Sequence, residues 1–289
     1  MKLFILTLAI WCHLINRANA NSEPKTNLSD NRGHNGEKTT KHKWGGSRIV
    51  GGSRTRVGEI PWHVAFRYEK ATSRSSFFCG GSLIDKRWVV SAAHCFTKDS
   101  PEGFSLMAVF AEVNVNNNDG NEVSIPVKYS FTHSRYDNTT KDYDIALLKL
   151  NEDVSFNDYV KKISLPTGNI DFSPGNQCKV TGFGKTREGA PRPSDYLMKA
   201  TVPIISNDRC KQYGYRPTSR MLCAGYEAGR IDACQGDSGG PLACEKNGKY
   251  YLVGAVSYGS GCGRPRRPGV YTKVKEFLDW IDTVKRQYP

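Results

Sequence analysis

The sequence predicts an all-β protein, a sandwich or barrel of many short strands closed by one helix, and three observations carry that reading. Apolar stretches at residues 62–68, 87–91, 146–150 and 250–257 are separated by Gly, Pro and Asn clusters, the punctuation of strand and turn rather than of helix. Only at the end does a helical period emerge, with Val274, Phe277, Leu278, Ile281 and Val284 recurring at steps of three and four residues. Finally, 289 residues with 24% charged side chains and no collagen repeat exclude a disordered chain, a fibre and a bundle of membrane helices. A chain of this length can bury a substantial core.

The elements follow in order. Lys2 precedes an apolar run over residues 3–12, and Ala18-Asn19-Ala20 has the small-x-small pattern of a signal peptidase site. Residues 1–20 therefore read as a secretory signal. The competing reading is a membrane anchor, but about ten apolar residues fall short of the roughly 20 that span a bilayer. Residues 21–48 are rich in Asn, Lys, Gly, Ser and Thr and too poor in aliphatic side chains to fold. This propeptide-like leader ends at Ser47-Arg48, and at Ile49-Val50-Gly51-Gly52 the strand-like composition begins; it continues to about residue 272, ahead of the helical end, and residues 49–289 read as one domain.

Of nine cysteines, Cys12 lies in the signal, leaving Cys79, Cys95, Cys178, Cys210, Cys223, Cys234, Cys244 and Cys262. An even set in a secreted chain reads as four disulfides, with the pairing open from spacing alone. Zinc is disfavoured, because there is no Cys-x-x-Cys pair.

Three phrases need a chemical explanation: Ala92-Ala93-His94-Cys95, Asp144-Ile145-Ala146-Leu147 and Gly236-Asp237-Ser238-Gly239-Gly240-Pro241. Singly they are a strand-end histidine, a loop aspartate and a glycine turn. Together they supply a base, an orienting carboxylate and a nucleophile, the set that acyl transfer requires. His94 would take the Ser238 proton and return it to the leaving amine, while Asp144 fixes the imidazole. Backbone N–H groups of Gly236 and Ser238 would face the oxyanion, with no Cβ at Gly236 in the way.

With Ser47-Arg48-Ile49-Val50-Gly51-Gly52 added, these phrases resemble the trypsin-like (chymotrypsin-fold) serine proteases, in the order His, Asp, Ser. The resemblance covers essentially all of residues 48–289. It implies two six-stranded antiparallel β-barrels packed together, with a C-terminal α-helix and the triad in the cleft between the barrels. It also implies the disulfides Cys79–Cys95, Cys178–Cys244, Cys210–Cys223 and Cys234–Cys262. No cysteine would then tether the leader. Cleavage after Arg48, by another trypsin-like protease or by the enzyme itself, would free the Ile49 amine to pair with Asp237 and order the site, so the chain would be a zymogen.

The same resemblance places Asp232 at the bottom of the primary pocket, with Ala233 beside it, Ser257 and Tyr258 along its rim, and Gly259 and Gly269 as walls small enough to admit a long side chain. A slot ending in a carboxylate selects Arg or Lys. Tyr258 stands where the family usually has Trp, which leaves preference for the substrate's earlier residues open. Ala233, with no hydroxyl to solvate a lysine ammonium, favours Arg.

Glu112, Asn114, Asn117, Asp119 and Glu122 fall at the spacing of a family calcium loop, where oxygen ligands suit structural Ca²⁺. Asp119 is one carbon shorter than the usual Glu, and a solvated acidic loop is the competing reading. No cofactor is expected for catalysis. Sequons stand at Asn27-Leu28-Ser29 and Asn138-Thr139-Thr140. Eight basic and three acidic side chains lie in residues 1–48, so +8 of the net charge of +13 remains on residues 49–289. Arg264, Arg266 and Arg267 concentrate part of it, as a polyanion exosite or as a solvated basic face. The lack of interleaved aromatics argues against nucleic acid.

The expected protein is thus a secreted, monomeric serine endopeptidase with no membrane segment, acting on proteins or peptides after Arg or Lys and open to serine protease inhibitors. The alternative is a catalytically silent homologue that binds polyanions or a receptor.

Overall fold

The computed structural model describes residues 50–289. The expected signal and leader, with Asn27, and the expected activation residues Arg48 and Ile49 lie outside the described residues. The strands, in chain order, are β1 (Ser53–Arg54), β2 (His63–Lys70), β3 (Ser73–Arg74), β4 (Cys79–Asp85), β5 (Trp88–Ser91), β6 (Ser105–Phe110), β7 (Val123–Thr132) and β8 (Ala146–Leu150). There follow β9 (Gln177–Gly182), β10 (Met198–Ile205), helix α1 (Asn207–Gln212), β11 (Met221–Ala224), β12 (Pro241–Lys246), β13 (Lys249–Tyr258), β14 (Gly269–Lys273) and helix α2 (Leu278–Gln287).

Both sheets close on themselves. In the first, β2-β4-β5-β8-β7-β6 form a six-stranded antiparallel ring, closed where Val64 to Glu69 pair with Phe110 to Ser105, and β3 extends β2 as a hairpin. In the second, β9-β12-β13-β14-β11-β10 close where Met198 to Pro203 pair with Gly182 to Gln177, with β1 on the outside of β10. Closure leaves no free sheet edge inside either ring. The expected two six-stranded barrels are found.

Strand β10 shows why the sequence folds so: Met198, Ala200, Val202 and Ile204 alternate inward onto Val180, Leu242 and Tyr271, while the residues between them face outward. The first barrel fills with Phe66, Leu83, Phe110 and Leu148. A third apolar cluster joins the barrels, with Trp88, Val90 and Leu147 from the first and Ala243 and Leu252 from the second. Phe277, Ile281 and Val284 close over this seam, and the helical period seen in the sequence is a 3₁₀ turn (Val274–Phe277) running into α2. Each buried Ile or Val there contributes roughly 1.5–3 kcal/mol, which fixes the helix on the joint and the cleft between the barrels. All four expected disulfides are formed.

Candidate active site

His94 sits in a 3₁₀ turn (Ala93–Phe96) just past β5, so its position is set by where the first barrel ends. Asp144, 1% exposed, precedes β8 and grips the histidine twice. Its Oδ1 accepts the His94 backbone N–H at 2.9 Å, and Oδ2 lies 2.8 Å from the ring Nδ1. Two residues of the second barrel hold the aspartate. The Ser257 hydroxyl donates to Oδ2 at 2.5 Å, and the Thr272 hydroxyl donates to the Asp144 carbonyl at 2.5 Å. A proton on Nδ1 pointing at Asp144 leaves Nε2 as the free base, the tautomer needed to accept a hydroxyl proton.

Ser238 is brought in from the second barrel by glycines. The Gly80 amide donates to the Ser238 carbonyl at 2.7 Å, and Gly239 packs so closely on Gly80, Ser91 and Ala92 that a Cβ there would collide with all three. This seats the residue after the serine against Ala92, which leads into the His94 turn, beside β4, which the Cys79–Cys95 disulfide joins to that turn. No hydrogen bond joins Ser238 Oγ to His94 among the described residues. Such contacts commonly tighten only when substrate is bound. Gly236 has φ +101°, a backbone conformation that disfavours side chains, and a Cβ there would lie 2.9 Å from Gly184 Cα. Among the described residues the Gly236 and Ser238 amides donate to no protein acceptor, so both are free to meet an anion.

A family model described as "Trypsin" matches residues 49–281. The chain belongs to the trypsin family. It is 40% identical over 237 residues to the rat (Rattus norvegicus) protein named transmembrane protease serine 9, a match covering 81% of this chain and 22% of that relative. The chain therefore spans about a fifth of the relative's length. Among the described residues, no helix is long and apolar enough to cross a membrane.

A cavity of about 180 Å³ is lined by Asp232, Ala233, Ser238, Ser257, Tyr258 and Gly269 among others, which brings together the residues expected to form the primary pocket. Gly259 also lines it. Asp232 is 2% exposed; its Oδ2 accepts the Gly263 amide at 3.1 Å and its Oδ1 has no partner. Burial pushes its pKa up to about 7 against the pull of that amide. An unpartnered carboxylate oxygen at the end of a slot is a receptor for a cation. A Cβ on Gly269 would stand 3.1 Å from Asp232 Oδ1, which is why that wall carries no side chain.

Asp237 is fully buried and held by two amides, Gly184 to Oδ1 and Cys234 to Oδ2, each at 2.8 Å. Burial raises its pKa to about 6. Val50, the first described residue, already pairs with Asp232, whose amide donates to the Val50 carbonyl at 3.3 Å. The cradle of Gly182 and Gly184 around Asp237, and the Ser257 contact to Asp144, were not read from the sequence. The Gly182-Phe183-Gly184 spacing was the one signal for the cradle.

Two expectations look different in three dimensions. Arg264 pairs with Glu188, Arg266 lies 3.8 Å from Glu227, and Arg267 donates to the Tyr213 carbonyl at 2.8 Å. The three arginines thus offer less free charge than their number suggests. In the acidic loop, Asn114 N–H donates to Glu112 and Asp119 N–H to Glu122, while Asn117 bonds Asp119. Glu122 Oε2 is buried without a partner. Burial, with Glu122 and Asp119 nearby, raises the Glu112 pKa. Among the described residues, the one group of three ligand atoms already within 4.8 Å of one another is Cys79, His94 and Cys95, whose cysteines are tied in a disulfide. Asn138 is exposed on the loop before Asp144.

Proposed function

We propose that the chain is a secreted serine endopeptidase that cuts after Arg, and less readily after Lys, once it has itself been cut after Arg48. The double grip of the buried Asp144 on His94 carries this reading. It fixes the imidazole so that Nε2 faces the cleft as a base and the developing imidazolium meets a carboxylate on its other side.

Ser238 Oγ attacks the carbonyl carbon of the scissile bond while His94 Nε2 takes its proton, and the oxyanion is met by the Gly236 and Ser238 amides. As the carbon–nitrogen bond breaks, His94 returns the proton to the leaving amine. Water, deprotonated by the same histidine, then releases the acyl group from Ser238. Asp232 selects the cationic side chain. A cation buried beside Asp237 would satisfy its raised carboxyl, and the Ile49 amine freed at Arg48 is the group one residue from Val50 that can supply it. The oxygen ligands at Glu112, Asn114, Asn117, Asp119 and Glu122 would hold structural Ca²⁺, for which the orphaned Glu122 oxygen is the support, and the exposed Asn138 would carry a glycan. The silent polyanion-binding alternative is less favoured, because His94, Asp144 and Ser238 all stand and Arg264 and Arg266 face carboxylates.

The test is hydrolysis of a small Arg ester before and after cleavage at Arg48. Activity should rise by orders of magnitude on cleavage. Equal rates for the two forms would overturn the zymogen reading, and no hydrolysis in either would overturn the peptidase reading.

A further inference from the structure

The chain reaches Asp144 through two residues in the left-handed region. Lys141 has φ +59° and Tyr143 has φ +56°, a conformation that a bulky side chain such as tyrosine keeps only where its surroundings hold it. Asp142 stands between them, and Tyr143 directly precedes Asp144.

What holds Asp142 and Tyr143 comes from the other barrel. Arg220, the residue before β11, forks onto the Asp142 carboxylate, with Nε donating to Oδ1 at 2.9 Å and a terminal nitrogen to Oδ2 at 2.5 Å. The Thr218 hydroxyl donates to the same Oδ1 at 3.0 Å. The Arg220 and Asp142 side chains are 27% and 15% exposed, too enclosed for a surface ion pair, and a bidentate fork fixes direction as well as charge. The face of the same guanidinium covers the Tyr143 ring, 4.3 Å from its centre. Arg135 lies 4.4 Å from that centre and the His133 ring 4.7 Å from it. One guanidinium thus anchors Asp142 with its edge and pins Tyr143 with its face. Glu276, the other carboxylate whose charge reaches Arg220, is paired with Lys273 at 2.9 Å.

The Arg220 carbonyl accepts the Lys273 amide at 2.8 Å, so Arg220 rides beside Thr272, whose hydroxyl holds the Asp144 carbonyl. The second barrel therefore grips this stretch of the first at Asp142, at the Tyr143 ring and at Asp144 itself. Releasing Asp142 and the ring would let the left-handed Tyr143 relax, and a swing there turns Asp144 relative to His94. A misplacement of about 1 Å at reacting groups can cost on the order of 10²-fold.

We propose that Arg220 is a positioning residue for the reaction. Through Asp142 and Tyr143 it locks the chain leading into Asp144, and so ties the alignment of His94 on the first barrel to the second barrel that carries Ser238. The proposal rests on the peptidase reading above. Its effect falls on the chemical step and not on the cavity around Asp232, none of whose lining residues belongs to this cluster.

The test uses the Arg48-cleaved protein and a small Arg anilide, with acylation slow enough that KM reports binding. Arg220→Met and Asp142→Asn should each lower kcat roughly 10- to 100-fold, with KM and the affinity for benzamidine unchanged. Arg220→Lys, which keeps the charge but not the fork, should recover part of the loss. The double variant should be no worse than either single one, because each removes the same contact. In proton NMR, the far-downfield signal of the His94 Nδ1 proton shared with Asp144 should broaden or vanish in both. Folded variants with full kcat would overturn the proposal, as would a fall in kcat with that signal unchanged. Additive losses, or loss of benzamidine binding in step with kcat, would equally overturn it, by making the pair a general brace. Should Arg220→Met not fold, Asp142→Asn, nearly equal in size to the native residue, decides alone. Failure of the unsubstituted cleaved protein to hydrolyse the anilide would instead overturn the peptidase reading.

Discussion

The Gly184 amide donates to Asp237 Oδ1 at 2.8 Å, and no side chain fits between the two residues. A Cβ on Gly184 would lie 2.5 Å from the Asp237 carboxyl carbon and 2.6 and 2.7 Å from its oxygens. The residue before the serine is thus positioned by the bareness of a glycine two residues past β9, and the amides of Gly236 and Ser238, proposed to meet the oxyanion, flank that anchor.

Gly184→Ala should therefore remove most activity while the barrels still fold. The displaced carboxylate would drag the serine loop, and losing one oxyanion donor alone costs about 10²- to 10³-fold in kcat. Active-site titration with circular dichroism as the folding control checks this. A folded Gly184→Ala protein with full activity would show that the cradle does not set the loop.

His63 lies at the start of β2, buried, with Nδ1 3.0 Å from the Thr181 hydroxyl and Nε2 without a partner. Burial lowers its pKa to about 3. The fold holds it neutral while the unfolded chain takes up a proton below about pH 6.5. Its contribution to stability is thus complete above pH 6.5 and is lost as pH falls toward 3, by about 1.4 kcal/mol per pH unit. In a Ser238→Ala background, which prevents self-cleavage, the drop in urea stability between pH 6.5 and 4.5 should be about 2–3 kcal/mol smaller for His63→Gln. Equal drops would assign the acid sensitivity to other groups.

Ala233 lines the same cavity as Asp232, whose Oδ1 has no protein partner. A guanidinium can engage that oxygen directly with a fork of donors. A shorter ammonium without a hydroxyl at residue 233 is left a partner short, at about 1–3 kcal/mol. Matched peptides should show roughly a tenfold to hundredfold preference for Arg over Lys in kcat/KM, and Ala233→Ser should narrow it chiefly by improving Lys. If Arg and Lys peptides are cut equally well, water already serves in place of the hydroxyl.

Much of this was legible in the sequence because the chemistry is carried by contiguous phrases. His94, Asp144 and Ser238 each sit in a short motif, and strand β8 over Ala146–Leu150 coincides with its apolar run, since both its faces are buried. Strand β7 was harder to see. Lys128, Tyr129 and Ser130 are exposed, so its apolar pattern breaks even though its backbone pairs with β6 and β8. Long-range polar contacts left no local trace either. Nothing around Ser257 in the sequence announces a bond to Asp144, 113 residues away, and nothing around Arg264 announces Glu188, 76 residues away.

In the acidic loop, a divalent cation would satisfy the orphaned Glu122 oxygen and offset the repulsion felt by Glu112. Adding millimolar Ca²⁺ to EDTA-treated protein should raise the melting temperature by several degrees, as expected for a ligand that binds only the folded state. Glu122→Gln should reduce that gain. Superimposable melting curves with and without Ca²⁺ would mean that the loop is a solvated acidic turn.

The central claim, that Ser238 is a nucleophile armed by His94 and Asp144 once residue 48 is cut, is tested most directly by labelling with a fluorophosphonate followed by peptide mapping. One label per molecule is expected, on Ser238, in the Arg48-cleaved protein. Little or none is expected in the uncleaved chain or in cleaved His94→Ala. A folded, cleaved protein whose Ser238 stays unlabelled would contradict it.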